Sequence, residues 1–299
     1  MSHGSVLALH CAAGSDIGLR RELNEDSAYA SSRMVALADG MGGHVHGEIA
    51  SAVAIAALAS LDAGLPAADL SGVDVSAALA SGVADAARRL VELAQRDPAL
   101  EGMGTTLTAM LWDGARFAVA HVGDSRGYLM RDGELAPLTT DHTFVQALVD
   151  DGVMAPEEAV VHPRRSLLLR ALLSTGVAEP DLSIHDGQPG DRYLLCSDGL
   201  TDYSPLEAVH EILAAVAEPA AAVDGLIDLA NSCGGPDNIT CVVADLVRLG
   251  AGVAEQPPVV VGALAYHAPT ATDGVLPAAG GVPPAAGGRV PGPTVSGRR

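Results

Sequence analysis

Three acids in this chain share one local pattern. Residues 35–38 are apolar and run into Asp39-Gly40-Met41-Gly42-Gly43. Residues 192–196 run into Ser197-Asp198-Gly199-Leu200, and Gly234-Gly235-Pro236-Asp237-Asn238 leads into the apolar stretch 239–247. An apolar run that ends in an acid reads as a buried strand delivering one carboxylate to its tip. The glycines let backbone groups approach a neighbour closely. A carboxylate beside a glycine carbonyl suits a hard cation, which takes oxygen ligands. Each motif alone also reads as a strand–turn junction with a capping Asp. Asp124, in Gly123-Asp124-Ser125-Arg126, is a fourth such acid, with a turn or bulge role as the alternative. Arg21-Glu22-Leu23-Asn24-Glu25-Asp26 adds an arginine and three acids a dozen residues before Asp39. If the strands that follow pair as neighbours, Arg21 and Glu25 come beside Asp39. The alternative is a charged loop with a local ion pair, which stabilises little.

The elements that must position these residues follow from periodicity. Residues 5–11, 27–30 and 35–38 read as strands. Residues 47–61 read as a helix starting just after the glycine turn. Asp74 is an N-cap for a second helix, with Val75, Leu79, Val83, Ala86, Leu90 and Leu93 at helical spacing and Pro98 as its stop. From Gly104 the pattern changes to an antiparallel meander, with Asp113-Gly114 suited to a type I′ turn and Asp132-Gly133 turning the chain again. Residues 143–166 form an irregular excursion with two short helical pieces, the size of a functional lid or of a plain surface loop. Two further helices and a last strand close the domain.

Composition narrows the function. The chain has 299 residues, 48% hydrophobic and only 3% aromatic, which implies a core of Ala, Val and Leu. A net charge of −20 argues against nucleic-acid binding, which needs a basic face. The four cysteines form no C-x-x-C pair, so a reducing compartment is expected. No signal-peptide pattern and no uninterrupted apolar span appear. No C-x₅-R nucleophile loop is present. From about Gly250 the chain is rich in Pro, Gly and Ala. The expected division is a domain at 1–249 and a disordered tail at 250–299. Val259-Val260-Val261 is the tail's one apolar run, and docking on the domain is open to it.

Arg21-x-x-Asn24-Glu25-Asp26, Asp39-Gly40-Met41-Gly42-Gly43, Gly104-Thr105-Thr106, Val122-Gly123-Asp124-Ser125-Arg126, Ser197-Asp198-Gly199-Leu200 and Asp237-Asn238-Ile239-Thr240 occur in that order. Together they resemble the bacterial branch of the metal-dependent protein phosphatases, the type 2C serine/threonine phosphatases. The resemblance covers residues 5–248. It implies an α+β four-layer sandwich: two antiparallel sheets packed face to face, with helices outside. It implies two core ions, Mn²⁺ or Mg²⁺, with Asp39 bridging them, the Gly40 carbonyl on one, and Asp198 and Asp237 completing the cluster. A water between the ions would attack the phosphorus directly, and Arg21 would hold the phosphate oxygens. Glu25 and Asp26 would orient metal-bound waters. Asp124 with Asp198 matches a third, weaker metal site, which Ser166 would face from the flap at 143–166.

One position departs from the family. Some members carry a His directly after the Asp-Gly to protonate the leaving oxygen, where this chain has Met41. His44, His46 or a metal-bound water are substitutes. Cys196, beside Asp198, reads as core. The implied substrates are phosphoserine and phosphothreonine proteins, including bacterial serine/threonine kinases and their targets. A soluble cytoplasmic monomer with no membrane span is expected. A binding module of this fold that has lost catalysis, and a phosphatase for small phosphomonoesters, are the alternatives.

Overall fold

The computed structural model describes residues 7–41, 46–66, 70, 72–176, 179–248 and 257–267. Two antiparallel sheets carry the fold. The first has the order β1 (Leu7–Asp16), β12 (Ile239–Arg248), β11 (Arg192–Cys196), β7 (Arg126–Arg131), β8 (Glu134–Pro137). The second has the order β10 (Asp181–Asp186), β6 (Arg116–Val122), β5 (Leu107–Trp112), β3 (Met34–Met41), β2 (Asp26–Ala30), β13 (Val259–Gly262). The short strands β4 (Gly104–Thr105) and β9 (Leu172–Leu173) extend the end of β3.

Apolar residues on both faces of the inner strands fill three layers of core. Between the sheets lie Leu37, Met110, Val119, Leu195 and Val242. Trp112, Phe117 and Tyr193 sit there too, with ring centroids 4.6 and 4.5 Å apart, so scarce aromatics are concentrated at the sheet interface. Helices α1 (Gly47–Gly64) and α2 (Val75–Arg96) cover the outer face of the second sheet. Helices α6 (Leu206–Ala215) and α7 (Pro219–Ser232) cover the first. The Asp74 side chain accepts from Ala77 N and caps α2 as its sequence position implies. Helix α1 is long and apolar enough to cross a membrane by length and composition alone. It serves instead as a core helix, with 61% of that window buried in the fold.

Three expectations are revised. The strands after Gly104 are not one meander. β5 and β6 stay in the second sheet, and β7 pairs with β11 in the first, so the chain changes sheet at Gly123-Asp124-Ser125. The type I′ geometry falls at Asp132-Gly133, where both φ angles are positive, 54° and 83°. The β5–β6 loop is one residue longer, and Asp113 Oδ1 accepts from Ala115 N and Arg116 N. The third revision concerns the boundary at 249. The compact unit reaches Ala268. Val259-Val260-Val261 pairs in register with Ala30, Tyr29 and Ala28, and α8 (Ala263–His267) follows it. The reason is physical: without β13, β2 would be an uncovered edge with unpaired backbone groups. The remaining tail, at 249–256 and 268–299, lies outside the described residues, as does His44.

Candidate metal centre

β3 sets the centre. Its first five residues are buried, and Asp39 at its end opens to solvent. The Asp39 backbone is pinned from one side by the Gly104-Thr105-Thr106 motif. Asp39 N donates to Thr106 Oγ1 at 3.0 Å, and its carbonyl accepts from Thr106 N and Thr105 Oγ1, both at 2.9 Å. The side chain is therefore carried on a backbone with little freedom. Gly40 follows because nothing larger fits: a Cβ there would lie 2.2 Å from the Gly47 carbonyl and 2.5 Å from that of Glu25.

β2 pairs with β3 so that Asp26 is directly opposite Asp39. Asp26 is fully buried. Its Oδ2 accepts from Ser197 Oγ at 2.9 Å, while its Oδ1 has no hydrogen-bond partner. The same Ser197 hydroxyl accepts from Thr240 N at 3.0 Å, which ties the strand before Asp198 to the strand after Asp237. Asn238 holds the arginine loop. It accepts from Glu25 N at 2.9 Å and donates to the carbonyls of Ile17 and Leu23. Asn24 Oδ1 accepts from Asp26 N at 3.1 Å. These polar residues were legible as motif members but not as the frame that they form.

Asp39, Asp26, Asp124, Asp198 and Asp237 thus converge from both sheets. The electrostatic consequence is mutual destabilisation of their charged forms. Burial, then the neighbouring Asp26, Asp198 and Asp124, raise Asp39 well above the ordinary carboxylate range. Asp198 is raised in the same way by burial, then by Asp124, Asp202 and Asp237. Burial pushes Asp26 up to about 6 and Asp124 up to about 7. Glu25 is raised by burial and by Glu48 of α1. Such a pocket takes protons or cations. Among the described residues, no three His, Cys, Asp or Glu side chains close a ready-made cage around one ion. Divalent cations that keep several of their own waters take only one or two carboxylates each. The orphaned Asp26 Oδ1 fits a water in such a shell.

Asp124 and Asp198, the expected pair for a third site, lie within electrostatic reach of each other. Arg126 chelates Asp141, with Nη2–Oδ2 at 2.6 Å, donates to Thr201 Oγ1 at 2.7 Å and pairs with Asp202 at 3.0 Å. It thereby fixes the loop of Asp124 against α5 (Asp198–Thr201). The flap, with α3 (Phe144–Asp150) and α4 (Pro156–Val160), closes at its base through a Thr143–Leu168 bridge. Ser166 is exposed in its turn. Its neighbour Arg165 is the residue that reaches Asp202, at 3.7 Å, and the Tyr203 hydroxyl, at 3.3 Å. Cys196 is fully buried in core, and burial pushes its thiol up to about 12.

Arg21 lies on the rim, half-exposed, with Nη2 2.7 Å from Asp237 Oδ2. A guanidinium at the edge of an acidic pocket is free to take a bidentate oxyanion once cations occupy the acids. Arg21→Ala should raise KM for a small phosphate ester about tenfold with little change in kcat, measured by steady-state kinetics. A change confined to kcat would place Arg21 in the transition state alone.

Residues 20–232 match the family model described as protein phosphatase 2C, and the chain belongs to that family. It is 51% identical over 259 residues to the serine/threonine protein phosphatase PstP of Mycobacterium tuberculosis, covering 87% of this chain and 49% of that protein. It is 36% identical over 249 residues to the serine/threonine phosphatase stp of Listeria monocytogenes, covering 81% and 98%. The chain therefore spans about half the length of the mycobacterial relative and nearly all of the listerial one. The crystal structure of M. tuberculosis PstP/Ppp superposes with a TM-score of 0.76 at 52% identity, over 81% of this chain and all of that one. The PstP catalytic domain in complex with two manganese ions matches with a TM-score of 0.73 at 51% identity, over 81% and 99%.

Proposed function

We propose that this chain is a metal-dependent serine/threonine protein phosphatase that hydrolyses phosphoserine and phosphothreonine and counters bacterial serine/threonine kinases. The observation that carries the reading is the convergence of Asp39, Asp26, Asp124 and Asp198, each driven toward its neutral form by burial and by the others, beside an arginine. When bound, two divalent cations, Mn²⁺ or Mg²⁺, supply Lewis-acid charge and a more acidic water. Asp39, Asp198, Asp237 and the Gly40 carbonyl hold them. Asp124 with Asp198 offers a third, weaker position. Glu25 and Asp26 orient the surrounding waters, and Arg21 binds the phosphoryl oxygens. Met41 carries no proton to give, and His46 is engaged with Glu48 at 3.1 Å. Free cysteines, three of the four buried, suit a reducing cytoplasm.

The test is phosphate release from phosphoserine, phosphothreonine and phosphotyrosine peptides with Mn²⁺ and with excess chelator. Release from the first two, abolished by chelator, is expected. Undiminished release in chelator would overturn the metal chemistry. Turnover of a chromogenic ester without release from any peptide would favour a small phosphomonoester instead.

A further inference from the structure

The segment at 259–267 lies beyond the residues 20–232 that match the family. It nonetheless touches the strand that carries Asp26. We propose that β13 and α8 form a clip that holds the metal centre in register, with Gly262 and Leu264 as positioning residues acting through Ser27 and Asp26. The inference rests on the metal-centre reading above and adds a distant element to it.

The clip is built into both core layers. Val260 packs with the core under α1 and α2, and Val261 with the core between the sheets. Ala263 and Leu264 are buried against α1, at 1% and 9% exposure. At the end of β13 the chain turns with a Gly262 φ of 76°, directly over the Asp26 carbonyl. A Cβ at Gly262 would lie 2.1 Å from that oxygen, so only glycine permits this approach.

A relay of hydrogen bonds then crosses the second sheet. Leu264 N donates to Ser27 Oγ at 3.1 Å. Ser27 Oγ, having accepted there, has its proton for Ser51 Oγ at 3.0 Å, and Ser51 donates to the Glu48 carbonyl at 3.3 Å. Ser27 and Ser51 are fully buried, so without the clip the Ser27 hydroxyl keeps Ser51 but loses the Leu264 N–H, and the outer edge of β2 loses its paired strand. The start of β2 and the first turn of α1 both close on Gly40, where an added Cβ would meet the carbonyls of Glu25 and Gly47. The clip bonds to the first directly and to the second through two serines. Asp26, one residue from Ser27 and opposite Asp39, transmits the position to the carboxylates. Loosening the clip therefore relaxes the acids that hold the ions.

The experiment uses the full chain and Mn²⁺ alone as the probe. Mn²⁺ affinity is measured by calorimetry, and amide hydrogen exchange is followed over β2 and the first turn of α1. Leu264→Asp and the milder Leu264→Ala should weaken Mn²⁺ binding, the former by about ten- to a hundredfold, and should speed exchange at residues 26–29. Leu213→Ala, a cavity under α6 on the other sheet, should lower Tm but leave Mn²⁺ affinity unchanged. If Leu264→Asp does not fold, Leu264→Ala must still shift affinity in the same direction. Wild-type affinity in a Leu264 variant whose clip exchanges freely would overturn the proposal, as would equal weakening by Leu213→Ala. A wild-type chain that binds no Mn²⁺ would instead overturn the metal-centre reading.

Discussion

Asp39→Asn should reduce phosphate-ester turnover by about a thousandfold or more, since it would remove the carboxylate proposed to serve both ions and with it several kcal/mol of charge stabilisation. The protein should remain folded, because the backbone at Asp39 is held by Thr105 and Thr106 and not by its own side chain. Metal-free stability should even rise at neutral pH. Asp39 is raised well above the usual carboxylate range by burial and then by Asp26, Asp198 and Asp124. A carboxyl raised on folding contributes stability only while it is protonated, and that contribution is lost as pH rises through its folded value. An asparagine has no such loss. The gain in Tm of Asp39→Asn over the chelator-treated parent should therefore be larger at pH 8 than at pH 5. Parental turnover in this variant would remove Asp39 from the centre. A Tm that falls equally at both pH values would show that the acid is structural.

Asp124→Ala should slow turnover about ten- to a hundredfold while still binding two Mn²⁺ per chain. Asp124 sits on the crossover between the sheets, apart from the β2–β3 pair that presents Asp26 and Asp39. An ion held by Asp124 and Asp198, as proposed, would have few protein ligands and many waters, and so would bind weakly and exchange easily. The loop should survive the substitution, because Arg126 remains chelated by Asp141. Calorimetric Mn²⁺ titration and ester kinetics on one sample separate the outcomes. Normal kinetics would leave Asp124 a turn residue. Loss of all tight Mn²⁺ binding would move it into the core pair.

Much of the centre was legible because an apolar run broken by Asp-Gly is a distinctive local event, and it recurs at Asp39 and Asp198. The helices were legible for the same reason, through Asp74 as a cap and Pro98 as a stop. The change of sheet at Gly123 was not. A strand, a tight turn and a strand look alike whether the second strand pairs with the first or crosses to another layer, and only the partners of β7 decide. The clip was only half legible: Val259-Val260-Val261 stood out as an apolar run that could dock, but not as a strand or with a partner. Four residues in a Pro-, Ala- and Gly-rich context carry too little periodicity to register as a strand. Their order comes from the open edge of β2, which is a long-range property. Arg165 stood out as a basic residue in an acidic chain, but its contacts did not, since its partners Asp202 and Tyr203 lie 37 and 38 residues along the chain and meet it only in three dimensions.

A pair of divalent ions held by carboxylates from both sheets is what the proposed function requires. Anomalous diffraction from crystals of this chain grown with Mn²⁺ tests it most directly. Two peaks about 3.5–4 Å apart are expected, with the Asp39 carboxylate between them and Asp198 and Asp237 on either side. A single peak away from Asp39, or none within reach of it at saturating Mn²⁺, would rule out such a pair.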